Sequence, residues 1–191
     1  MRKSRAETAE TRERIVEAAS SVFRRQGIAA TGLADLMGAA GMTHGGFYKH
    51  FGSKEQLVAE ASSRAISQMS GMLESVIKKG RKGTPLQRVV DAYLSADHLA
   101  HPEVGCPFAA LGPELAREGS LVRNAAGAGL ADLLGIFRQH AGHTDSVVAL
   151  AAMVGAMTLA RLAPDESASS DIIEQVRAHL RTHLSSGHFD A

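Results

Sequence analysis

The sequence predicts an all-α protein in which three short helices are followed by about six longer ones. Three observations lead there. Ala and Leu are abundant, aromatic residues make up 4% of the 191 positions, and β-branched runs are scarce. Such a composition favours helix over strand. Apolar residues recur at spacings of three and four, with no alternating stretch. Breaks rich in Gly and Pro separate the periodic segments: Gly27, "GAAG" (38–41), "KKGRKGTP" (78–85), "HPEVGCPF" (101–108) and "APDESASS" (163–170).

The first helix is expected over about Thr8–Gln26, with Ile15, Ala18, Ala19, Val22 and Phe23 on one face and Gly27 as its stop. Thr31 is placed as the N-cap of a short helix that buries Leu33, Leu36 and Met37. Thr43 then caps a very short helix ending near Phe51. Ser53 opens a long helix to about Lys79, with Gln56 at the capping-box position. Its apolar side carries Leu57, Ala61, Ile66, Met69, Met72, Leu73 and Val76. Thr84 and Pro85 start a helix through about Ala100. Helices follow near Phe108–Arg117, Leu121–Ala141, Asp145–Leu162 and Ser170–Leu184. The segment near Asp145–Leu162 is apolar almost all round, so it must be buried on several sides. A shared subunit interface would do that.

A hydrophobic content of 45% supports a substantial core and argues against disorder. Net charge is only +1, but residues 1–64 carry 10 Lys and Arg against 7 Asp and Glu, while residues 65–191 carry 11 against 13. The basic excess in the first part points to a polyanionic partner there. A single cysteine, Cys106, precludes an intrachain disulfide and suits a reducing compartment. The N-terminus is basic without an apolar stretch behind it, and the longest apolar run, Val147–Ala160, has 14 residues, against about 20 for a bilayer span. A cytoplasmic protein is expected.

The informative stretch is "GMTHGGFYKHFGSKEQL", Gly41–Leu57. Thr31–Phe51 has the layout of a helix-turn-helix, with glycine in the turn. In that module the second helix enters the major groove with its N-terminal residues at base edges. Here it begins Thr43, His44, Gly45, Gly46, and the two glycines weaken a helix while allowing close backbone approach. Tyr48 offers a hydroxyl, and Lys49 and Lys54 offer charge, to phosphates. Phe47 and Phe51 are read as core residues. Arg2, Lys3 and Arg5 form either a DNA-reaching arm or a frayed terminus.

The segment "TRERIVEAASSVFRRQGIAATGLADLMGAAGMTHGGFYKHFGSKEQLVAEA" resembles the DNA-binding domain of TetR/AcrR-family repressors over about residues 11–61. The features that carry the resemblance are Ala18–Ala19, Phe23–Gly27, Thr31, Gly41, Thr43, "FYKHF" and "SKEQL". It implies phosphate contacts at Tyr48 and Lys54, packing roles for Phe47 and Phe51, and a place for His50 at the junction with the long following helix. The DNA-binding set is therefore Thr31, Thr43, His44, Gly45, Gly46, Tyr48, Lys49, His50 and Lys54. Family members often have Ser or Thr where this chain has Gly46. The resemblance also implies a homodimer through the last two long helices. Residues 1–52 would be the DNA-binding domain and 53–191 the ligand-binding and dimerisation domain, joined by the long helix from about 54.

"GCPFAALGPELARE" (105–118) is similar to segments in a subset of these repressors that includes regulators of drug-efflux genes. The helices beyond Pro85 are rich in apolar residues, which suits a small hydrophobic effector. Leu99, Cys106, Phe108, Leu111, Leu134 and Met153 are the expected lining. Cys106 has two readings: an electrophile or oxidant sensor, or a small buried hydrophobe. His98, His101 and Cys106 make an incomplete metal set, as do His179 and His183, and "GAGLAD" (127–132) lacks the strand and third glycine of a dinucleotide loop. No catalytic arrangement, cofactor or metal is expected. A ligand-responsive repressor released by its effector is the leading reading. The alternatives are an activator or ligand-insensitive regulator of the same fold, or a helical small-molecule-binding protein or enzyme with a vestigial DNA-binding domain.

Overall fold

The computed structural model describes residues 5–80, 82–140 and 143–183. Among the described residues there are nine α-helices and no strand: α1 (Arg5–Gln26), α2 (Leu33–Ala39), α3 (Lys54–Lys79), α4 (Pro85–Tyr93), α5 (Ala96–Ala100), α6 (Pro107–Leu115), α7 (Ser120–Arg138), α8 (His143–Leu162) and α9 (Glu166–His183). Two 3-10 segments, His44–Lys49 and Pro102–Val104, complete the order. The expected helix ends at Ala141 and Leu184, and the N-terminal Arg2 and Lys3, lie outside the described residues. Two compact units form: the chain up to Ser67 with Glu103–Gly129, and Gln68–Pro102 with the chain from Leu130. The 52/53 division read from the sequence falls inside the first unit.

In the first unit, α1 buries Ile15, Val16, Ala19, Val22 and Phe23 against Leu36, Met37, Phe47, Phe51 and Leu57. Full burial of each Val, Leu, Ile, Phe or Met side chain among them is worth about 1.5–3 kcal/mol. Gly27 ends α1 at φ +88°, its N–H reaching the Phe23 carbonyl at 2.7 Å. The freed amides beyond it are held from elsewhere in the sequence, because Glu114 of α6 accepts from the N–H groups of Ile28 (2.8 Å) and Ala29 (3.0 Å). Arg24, on α1, is only 4% exposed and donates to the carbonyls of Ser20 and Gly105 and to the Ser20 hydroxyl. Burial pulls its guanidinium below the usual arginine range, opposed by Glu17, Cys106 and Glu103.

The second unit departs from expectation at two boundaries. The helix predicted over Pro85–Ala100 is two, because Leu94 turns to ψ 62° and Ser95 caps a new start by accepting from the His98 N–H at 3.2 Å. The His98 ring, within 2.7 Å of the Tyr93 carbonyl, satisfies an acceptor the break exposes. At the other boundary α9 starts at Glu166, not near Ser170, because Asp165 accepts from the Ala168 N–H at 2.8 Å and so caps the stretch taken as linker. The start at Thr84–Pro85 matches expectation, with a reciprocal Thr84–Gln87 capping box. Helix α8 packs along α9 and buries Ser146, Ala149, Leu150, Met153, Ala156, Met157 and Ala160. It is long and apolar enough to pass as a membrane span by composition (mean hydropathy 1.5 over 18 residues), yet these positions make it a core helix. Its other side leaves Val147, Val148, Leu159 and Leu162 between 43% and 75% exposed.

Candidate nucleic-acid interface

The two short elements of the first unit are joined by a tight, hydrogen-bonded turn. The Gly41 N–H reaches the Gly38 carbonyl (2.9 Å) and the Met42 N–H the Met37 carbonyl (2.7 Å), with Gly41 at φ +69°. This is the Schellman arrangement that closes a helix, and its left-handed position suits glycine. Arg14 of α1 donates to the Ala40 carbonyl at 3.2 Å, fixing the turn to α1. The sequence-expected cap of α2 is corrected here: Gly32, not Thr31, is the N-cap, and the Asp35 carboxylate accepts from its N–H at 3.3 Å. Thr31 is instead 1% exposed, its hydroxyl donated to the Gly27 carbonyl at 2.6 Å.

The second element is a 3-10 segment rather than an α-helix, capped at Thr43 by backbone geometry without a side-chain bond. Two consecutive glycines lower α-helical propensity, which suits a short, tighter turn. The geometry sorts its residues cleanly. Phe47 and Phe51 are buried and stacked with ring centroids 5.6 Å apart. Thr43, His44, Gly45, Tyr48 and Lys49 are exposed, Tyr48 at 68%. Gly46 does not share that face. It is buried, and a Cβ there would lie 3.5 Å from Met37 Cε and 3.7 Å from Met42 Cε. The expectation that Gly46 faces the groove is thereby overturned, since the turn of the segment directs it inward.

One side chain missed in the sequence reading, Arg12, holds the C-terminal end of the segment. Arg12 of α1 lies over the Phe51 ring (4.6 Å to the centroid), donates to the His50 carbonyl at 3.3 Å and pairs with Glu60 at 2.5 Å. The signal was weak: one Arg among the several charged residues of α1. His50 caps the segment, its N–H bonded to the Phe47 carbonyl, and is half-buried. Lys54 opens α3 and its ammonium donates to the carbonyls of Ile28 (2.8 Å) and Thr31 (2.7 Å). An ammonium has three protons, so one remains for an external anion. Ser53 accepts from the Gln56 N–H, while the Gln56 carboxamide reaches back to the Gly52 N–H.

The exposed face thus combines a hydroxyl, an imidazole, an ammonium and an uncovered backbone at Gly45, carried on an aromatic anchor. Such a face suits phosphate oxygens and base edges in a groove. A family model, "Bacterial regulatory proteins, tetR family", matches residues 15–61. The chain is 45% identical over 58 residues to the HTH-type transcriptional regulator TtgR of Pseudomonas putida. A crystal structure of a TetR transcriptional regulator from Chloroflexus aurantiacus superposes with a TM-score of 0.78 at 25% identity, covering 95% of this chain and 97% of that one.

Residues 15–61 are a TetR-family helix-turn-helix region, in a chain with the fold of a TetR-family regulator.

The match to TtgR covers 30% of this chain and 28% of the relative. The HTH-type transcriptional repressor BepR of Brucella suis is similarly matched, 40% identical over 65 residues, or 34% of this chain and 31% of that one. These curated relatives are therefore matched over about a third of their length. TetR-family regulators are not enzymes.

The residues expected to line an effector pocket are distributed over both units. Cys106, Phe108 and Leu111 belong to the first; Leu99, Leu134 and Met153 belong to the second. Cys106, Leu111 and Met153 are fully buried or nearly so, and Leu99, Phe108 and Leu134 half-buried. Cys106 is the N-cap of α6 and has no exposed surface, which fits the packing reading better than the sensor reading. In the second unit a groove of about 440 Å³ is lined by Leu94, Ala96, Leu99, Ser170, Asp171, Ile173, Glu174 and Arg177. Of the six expected residues it includes Leu99 alone.

Proposed function

We propose that this chain is a dimeric, ligand-responsive repressor that acts in the cytoplasm on a pseudopalindromic operator. The observation that carries the DNA-binding mode is the partition of the 3-10 segment, with Phe47 and Phe51 inside and Thr43, His44, Gly45, Tyr48 and Lys49 outside. His44 and the Gly45 backbone read base edges. Tyr48 and Lys49 hold phosphates, joined by the remaining proton of Lys54. Thr31, Gly46 and His50 act from behind, by fixing the turn and the segment.

Repression is supported by the 40% identity over 65 residues to BepR, a named repressor. Residues 1–52 carry the contacts to DNA, and residues 53–191 carry effector binding and dimerisation. Dimerisation is supported by Val147, Val148, Leu159 and Leu162, which line one apolar side of α8 and invite burial. Two copies joined there would place their half-sites about 34–36 Å apart, or a multiple of that. The effector is a small, mainly apolar molecule held in the C-terminal region, and by reciprocity it and the operator weaken each other's binding.

Fluorescence anisotropy with the DNA upstream of the chain's own gene tests the reading. Salt-sensitive, sequence-specific binding by a dimer is expected, lost in Tyr48→Ala and Lys49→Ala together while the fold is retained. Absence of specific binding at low salt would sink it. Leu159→Glu is expected to give monomers by sedimentation, and a dimer that survives both this change and Val148→Glu would move the interface elsewhere.

A further inference from the structure

We propose that His179 and His183, on the last turns of α9, form a chelate for a divalent transition-metal ion. The two residues are one helical turn apart, and both are exposed. Their rings stack with centroids 4.0 Å apart and planes 25° from parallel. For both rings to ligate one ion at about 2.0–2.1 Å, they must turn out of the stack about their side-chain bonds until the two lone pairs converge, a rotation open to exposed side chains one helical turn apart.

The second observation concerns the proton. Nδ1 of His183 lies 2.9 Å from the His179 carbonyl oxygen. A carbonyl only accepts, so Nδ1 carries the hydrogen and the Nε2 lone pair is left outward. Metal-binding histidines are prepared in this way, one ring nitrogen donating to a carbonyl and the other ligating. The nearest cations on the same helix are engaged, Arg177 with Glu174 and Arg181 with Asp91. Among the described residues no cluster of three or more metal-ligating side chains occurs. The chelate is therefore a two-imidazole site with water in the remaining positions. Imidazole ligation selects Cu²⁺, Ni²⁺ or Zn²⁺ over Mg²⁺ or Ca²⁺, with Cu²⁺ the tightest. A bound ion would tie together the last turns of α9.

The test uses the untagged full-length protein titrated with CuCl₂, NiCl₂, ZnCl₂ and MgCl₂, read by calorimetry and thermal melting. One equivalent of Cu²⁺ per chain is expected, with a raised Tm, weaker Ni²⁺ and Zn²⁺ binding, and none for Mg²⁺. The spectrum of bound Cu²⁺ should show two equivalent nitrogen ligands. His179→Ala and His183→Ala should each abolish the one-equivalent step, while His188→Ala and Cys106→Ser should retain it. No uptake by the parent chain, or uptake that persists in the His179→Ala, His183→Ala double variant, would overturn the assignment. Loss of uptake with His188→Ala alone would also overturn it.

Discussion

Replacing Lys54 by Met separates a structural role from an interfacial one. Met keeps most of the aliphatic stem and removes only the ammonium. In the folded chain that ammonium donates to the carbonyls of Ile28 and Thr31, at 2.8 and 2.7 Å, and so ties the start of α3 to the turn between α1 and α2. Hydrogen bonds from charged groups contribute about 1.5–3 kcal/mol where buried. Lys54 is half-buried, so solvent screening reduces the pair together to about 1–2 kcal/mol. For a chain of this length each kcal/mol moves Tm by about 2–4 °C. Lys54→Met should therefore lower Tm by about 2–8 °C, measured by circular dichroism at constant protein concentration. The logarithmic salt slope of operator binding should change by at most about 0.9, the value of one phosphate contact. A Tm unchanged within error, with the full loss of one phosphate contact, would refute the intramolecular role. It would restore Lys54 as a plain phosphate clamp.

Other outcomes follow from the same geometry. Gly46→Ala places a Cβ at 3.5–3.9 Å from Met37, Met42 and Thr43, ordinary contact distances; stability should rise by about 0.5–1 kcal/mol in urea titration with operator affinity unchanged. Gly41→Ala, at φ +69°, should instead be destabilising. Glu114→Ala leaves the N–H groups of Ile28 and Ala29 without their carboxylate, and about 1–2 kcal/mol should be lost; a loss under about 0.5 kcal/mol would show that water replaces it. Burial, reinforced by Arg161 and opposed by the Tyr93 carbonyl and Asp97, depresses the His98 imidazole below its ordinary value. The unfolded chain then binds the extra proton first, so stability present above about pH 6.5 falls as pH drops through that value toward the folded-state pKa. His98→Asn should flatten this part of the stability profile, and an unchanged slope would assign it to other groups.

Periodicity placed most of the helices, and the glycine at position 27 stopped α1 where a left-handed residue was required. The division of Phe47 and Phe51 from Tyr48 was also legible, because aromatic size and the turn around Gly41 leave few ways to bury the first two. Short elements were read less well. Ser95 and Asp165 are caps that look like loop residues until the amides they satisfy are known. Thr31 and Gly46 were placed on the exposed side because residue type suggested polarity or openness, while Thr31 turns inward to the Gly27 carbonyl and the direction of Gly46 depends on the phase of a 3-10 turn that sequence spacing does not resolve.

The sequence by itself determined the all-α class, the helix-turn-helix and the aromatic anchor, since these follow from local propensity and short-range spacing. Only the tertiary structure decided that α6 caps the end of α1 through Glu114, that Arg12 braces the recognition segment, and that Lys54 bonds its own backbone. The physical reason is common to all three. Each is a polar contact between residues 23 to 86 positions apart, and its partner is a backbone group, or a ring, that every sequence offers in abundance. Such contacts acquire identity only when packing has brought one particular carbonyl or amide within reach.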